Sequence, residues 1–68
     1  MEVAMATYAE VAALVLDEWE AQDKGYAAGV GTAPDGDAIA EVFAERYSLG
    51  SFDLYMACVG ERQRRDNA

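Results

Sequence analysis

Between Gly25 and Gly36 the chain places four glycines and its only proline, and this break sets what the rest can fold into. The stretch Gly-Tyr-Ala-Ala-Gly-Val-Gly-Thr-Ala-Pro-Asp-Gly suits no regular helix and reads as a loop. Its length is near the upper end of what compact domains carry between elements. Pro34 also holds Ala33 in an extended conformation. Hydrophobic patterning must therefore be read separately on either side.

Ahead of the break, Thr7-Tyr8-Ala9-Glu10 has the form of a capping box, in which threonine and glutamate each accept a hydrogen bond from the other's backbone N–H. Tyr8, Val11, Ala12, Val15 and Trp19 then recur at helical spacing. Leu16 lies at the edge of that stripe, and Leu14 points well off it, beside Glu18. With Gly25 as the stop, the first helix is expected over 7–23. After the break, Asp35 or Asp37 caps a second helix over 36–47, with Ile39, Val42, Phe43 and Tyr47 inward and Arg46 projecting from the last turn. Ser48-Leu49-Gly50 is a short turn, and Ser51 is the expected N-cap of a third helix over 51–65. Phe52, Tyr55, Met56 and Val59 form the most regular apolar stripe in the chain, expected to face the core. Gly60 weakens that helix by up to about 1 kcal/mol relative to alanine. Residues 1–6 and 66–68 read as frayed ends. No segment alternates as a half-buried strand does, and no repeat is visible. The expected fold is all-α: a small three-helix bundle, one domain over 1–68, with a Gly-rich loop between helices 1 and 2.

A chain of 68 residues buries only about 60% of its unfolded surface, and such a core rarely supplies more than about 3–5 kcal/mol. A lone Cys58 allows no intramolecular disulfide, and one cysteine without histidine builds no zinc site. Self-association or a partner is the remaining external support, beside a well-packed monomer. The longest apolar run, Val11 to Leu16, is far short of the roughly 20 residues a membrane span needs. Met1-Glu2-Val3-Ala4-Met5 has no basic n-region, so no secretory signal is expected, and the free thiol suits a reducing cytoplasm. Arginine over lysine and abundant alanine fit a GC-rich coding sequence, bacterial or viral.

Thirteen carboxylates face five basic side chains, and histidine is absent. Without histidine the usual general base and the commonest metal ligand are missing, so the chain is read as a non-enzyme without cofactor or metal. A net charge of −8 disfavours nonspecific binding to nucleic acid or anionic membranes. Up to residue 60, eleven carboxylates meet only Lys24 and Arg46. Glu10, Asp17, Glu20, Glu41, Glu45 and Asp53 fall mostly on polar helix faces. They read either as a solvated surface with helix-end stabilisation from Asp35, Asp37 and Glu41, or as an acidic surface that imitates nucleic-acid phosphates.

Other patterns carry less. The helix–break–helix of 39–65 has helix-turn-helix spacing, but Ser51, Phe52, Asp53 and Leu54 offer bases no cation where a recognition helix needs one. Gly25, Gly29 and Gly31 lack the strand and the Gly-Lys-Ser/Thr of a phosphate loop. Asp35-Gly36-Asp37 with Glu41 departs from a calcium loop because Ile39 stands where an oxygen ligand belongs. Cys58, one residue off the third stripe, reads as a small hydrophobe. Leu14 and Leu54 are left over as a candidate seam for a homodimer or a partner helix.

The leading expectation is a protein-binding module that occupies a basic surface of a nucleic-acid-binding host protein. In size and charge it is comparable to phage-encoded anti-CRISPR or anti-restriction proteins as a class. Tyr8, Trp19, Tyr26 and Tyr55 are candidate anchors. The alternatives are a dimeric DNA-associated regulator or antitoxin using Arg62, Arg64 and Arg65 for phosphates, and a structural or assembly protein using the exposed leucines.

Overall fold

A computed structural model describes residues 6–68. It contains α1 (Tyr8–Ala27), α2 (Gly36–Arg46) and α3 (Ser51–Asp66), with no strand among the described residues. All three helices pack on one another, as the expected bundle requires. The expected fraying of residues 1–5 lies outside the described residues, whereas Ala6 packs against the core.

Local chemistry explains where the first two helices begin. Thr7 Oγ1 accepts from Glu10 N (3.2 Å) and Glu10 Oε1 accepts from Thr7 N (3.0 Å), so the capping box is formed. Thr7 holds the Glu10 carboxyl below its ordinary pKa, through its backbone N–H first and its side chain second. Asp35 Oδ1 accepts from Asp37 N (3.1 Å) and Ala38 N (3.4 Å), which makes Asp35 the cap of α2. The cap of α3 is Gly50 and not Ser51, which is already helical. Gly50 has no capping side chain, and its N–H donates instead to the Tyr8 hydroxyl (3.1 Å), tying the turn to α1.

The helix ends differ more from expectation. α1 passes through Gly25 and stops at Ala27. Val30 N donates to Gly25 O (2.8 Å) and Gly29 N to Tyr26 O (2.9 Å), the paired bonds of a Schellman closure. That closure needs a left-handed residue just past the helix, which Gly29 (φ 85°) supplies. The loop is correspondingly shorter than the twelve residues read from composition. α2 closes the same way: Leu49 N reaches Ala44 O (2.8 Å) and Ser48 N reaches Glu45 O (3.3 Å). Here the left-handed position is Ser48 (φ 56°), at some steric cost because serine carries a Cβ.

The core holds Val11, Ala12 and Val15 of α1, Ile39, Ala40 and Ala44 of α2, and Leu54 of α3. Tyr8, Leu16, Trp19, Phe43, Leu49, Ala57 and Cys58 pack around it. Three of the seven buried side chains are alanines, so the helices approach closely over a thin core. On α2, Ala40 and Ala44 face inward, whereas Val42 and Tyr47 are exposed, against expectation.

The largest correction concerns α3. Phe52, Tyr55 and Met56, expected inside, are 72%, 46% and 51% exposed, and Val59 is half-buried. Leu54, expected on the outside as a seam residue, is fully buried. α3 therefore turns its other face inward, the one carrying Leu54, Ala57, Cys58, Glu61 and Arg65. The physical reason is twofold. Small side chains at 57 and 58 let α3 approach α1, and only this orientation brings Arg65 to carboxylates on α1. Burying Leu54 contributes about 1.5–3 kcal/mol, a large share of what so thin a core provides.

Candidate functional site

Four of the six carboxylates singled out from the sequence fall into two groups in space, and Glu10 and Asp53 stand apart from both. The first lies along the seam of α1 and α3 and is paired with arginine within the molecule. Arg65 donates from Nε to Glu61 Oε2 (2.8 Å), from Nη1 to Glu20 Oε2 (2.7 Å), and from Nη2 to Asp17 Oδ1 (3.0 Å) and the Ala13 carbonyl (3.2 Å). Arg64 Nη2 donates to the other oxygen of Glu61. Glu61 is only 9% exposed, the one buried charged residue among those described. Its pKa is held below the ordinary glutamate value by the hydrogen bond from Arg65, with Arg64 adding to the effect against the cost of burial. Asp17 and Glu20 thus serve as acceptors for Arg65, and Glu10 is occupied in its capping box.

The second group is on α2. Asp37, Glu41 and Glu45 recur every four residues, so they form one ridge along the helix, and all three are exposed. None of them forms an ion pair among the described residues. Sequence reasoning placed Glu41 and Glu45 in the candidate surface but assigned Asp37 to the helix end; the four-residue spacing was the available signal. Asp53 is exposed in the first turn of α3, with its carboxylate over Gly50. There it faces the positive end of the helix dipole.

Beside the ridge runs the exposed strip of α3. A cleft of about 350 Å³ between them is lined by Asp37, Ala40, Glu41, Ser51, Phe52 and Tyr55. Tyr55 and Val59 also border a groove of about 430 Å³, whose other walls include Trp19, Cys58, Asp35 and Arg62. Of the candidate aromatic anchors, Tyr55 and Tyr26 are exposed, whereas Tyr8 and Trp19 pack against the core. Cys58 lines the groove half-buried, its thiol pushed above the ordinary pKa by burial first and by the Glu61 charge second. A thiol so protonated is a poor nucleophile. Leu14 is 42% exposed on α1, and with Leu54 inside the core the two do not form a common seam.

The arginines are largely engaged at home. Arg46 stands over the Phe43 ring at 5.1 Å, and Phe43 stacks on Tyr47. Arg62 stands over Trp19 at 5.5 Å, and Arg64 and Arg65 are held by Glu61. Among the described residues no group of three potential ligand side chains converges as a metal site would, and the Asp35 carboxylate is taken up with capping α2. No described helix is long and apolar enough to cross a membrane. No family model, curated protein or solved structure matches this chain.

Proposed function

We propose that this three-helix domain is a non-enzymatic protein-binding module whose α2 carboxylates engage a basic surface of a partner. The observation that carries the reading is the contrast in compensation. Asp17, Glu20 and Glu61 are drawn into the Arg65 network, while Asp37, Glu41 and Glu45 form an exposed row on one helix with no ion pair among the described residues. Three like charges at four-residue spacing cost the helix a few tenths of a kcal/mol per pair, about 0.2–0.5. A cationic receptor turns that cost into attraction and speeds encounter. In its sharpest form the module is a stoichiometric inhibitor that occupies a nucleic-acid-binding groove, the ridge standing in for a row of phosphates. A DNA-binding role through Arg62, Arg64 and Arg65 is less favoured, because phosphate would have to displace contacts these arginines already make.

Affinity capture from the natural host, run in parallel with the chain and its Glu41→Lys/Glu45→Lys variant, tests the reading. The expected result is a basic partner retained by the chain, released by duplex DNA or raised salt, and lost from the variant. Retention of the same partners by both, insensitive to salt, would overturn it.

A further inference from the structure

We infer that the α2 ridge and the α3 strip form one composite docking surface, and that its occupant is a basic amphipathic helix of a partner protein. This rests on the reading above and specifies the shape of what binds. The first observation is an inversion of size. Phe52, Tyr55 and Met56 point outward while alanines fill much of the core. Phe52, Tyr55, Met56 and Val59 follow i, i+3, i+4, i+7, so they line one side of α3 over about 10 Å, two helical turns. An apolar strip with this periodicity matches the anchors of a second helix laid alongside it.

The second observation is the charge that borders the strip. Asp37 and Glu41 share a cleft with Phe52 and Tyr55, and Glu45 continues the ridge along α2. A helix seated on the strip would therefore bring its flank against a row of unpaired carboxylates. Lysine or arginine on that flank, three or four residues apart, would complete the row. The same charge argues against a second copy of this chain as the occupant. Each copy carries a net −8, and Arg62, which shares a groove with Tyr55 and Val59, is already stacked on Trp19. It argues equally against an anionic membrane surface. A disordered basic tail would satisfy the ridge but leave Phe52 and Met56 in water.

The test titrates the isotope-labelled full chain with two synthetic peptides of identical composition. One carries leucines on a single helical face with lysines on its flanks, and the other has the same residues shuffled. The amphipathic peptide is expected to bind saturably, shifting backbone signals of Phe52, Tyr55, Met56, Asp37 and Glu41, and to bind about tenfold or more tighter than the shuffled one. Phe52→Ser/Met56→Ser, at exposed positions that leave the fold intact by circular dichroism, should remove that advantage. Glu41→Gln/Glu45→Gln should weaken binding and flatten its salt dependence. Three results would overturn the inference: no saturable binding of the amphipathic peptide, binding untouched by Phe52→Ser/Met56→Ser, or a concentration-dependent dimer in which the strip is buried. If both peptides bind alike and only the charge variant loses them, the helical occupant is wrong while the acidic module stands. If in addition the host capture is insensitive to charge reversal, both readings fall.

Discussion

The α1–α3 seam and the outer face of α2 and α3 are built from the same kinds of residue and do opposite things with them. At the seam, Glu61, Asp17 and Glu20 converge on Arg65, and Leu54 is covered completely. On the outer face, Asp37, Glu41 and Glu45 form no ion pair among the described residues, and Phe52, Tyr55 and Met56 lie open to water. The seam is complete within one chain. The outer face has the composition of half an interface, with charge and apolar surface side by side and neither satisfied. Net charge alone conceals this, because a value of −8 does not say which carboxylates are paired with arginine and which are not.

The strongest way to break that contrast is to exchange the roles of the two apolar sets. Leu54→Ala should cost about 2–5 kcal/mol, enough to leave much of so small a domain unfolded. Phe52→Ser should change stability by no more than about 0.5 kcal/mol. Urea denaturation followed by circular dichroism measures both; equal losses would mean that Phe52 is as buried as Leu54.

The ionic halves should separate next. Arg65→Ala removes the donor shared by Glu61, Glu20, Asp17 and the Ala13 carbonyl, and should lower the melting midpoint by several degrees. Glu41→Gln, which relieves two like-charge pairs on the ridge, should leave stability unchanged or raise it by up to about 0.4–1 kcal/mol. If Glu41→Gln destabilised the fold as Arg65→Ala does, the ridge would be structural.

Acid sharpens the same distinction. The Glu61 pKa is depressed in the fold, so its ion pairs stabilise fully at neutral pH, and that stabilisation is lost as pH falls below the ordinary glutamate value through the depressed one. The midpoint difference between the chain and its Glu61→Gln variant should be largest near neutrality and shrink as pH falls below the ordinary glutamate range. A difference independent of pH would show that the pairing contributes nothing beyond packing.

The smallest effect belongs to the turn that joins the two regions. Ser48→Gly removes the Cβ from a left-handed position and should stabilise by about 0.5–1 kcal/mol in thermal melts. A loss would mean that the serine side chain holds the turn.

Much of this architecture was legible in the residues. The capping box at Thr7 and Glu10, the Asp35 cap and the turn at 48–50 involve partners a few positions apart, so local chemistry reveals them. The end of α1 was misplaced because any of several glycines could close a helix, and only the chain path after it selects Gly29. The candidate site was legible in part: Glu41 and Glu45 were visible as a polar face, but the removal of Asp17 and Glu20 by Arg65 spans more than forty positions and leaves no local trace.

By itself the sequence determined that there would be three helices and how the first two would be capped, because hydrogen bonds and side-chain spacing within a few residues decide those things. It also set the excess of carboxylate over cation. Only the tertiary structure decided which face of α3 turned inward. Two apolar stripes competed there, and the larger one lost. Close approach over alanines and the reach of Arg65 to α1 depend on all three helices at once. That decision left Phe52, Tyr55 and Met56 beside the carboxylates of α2, and it created the surface from which the function is proposed.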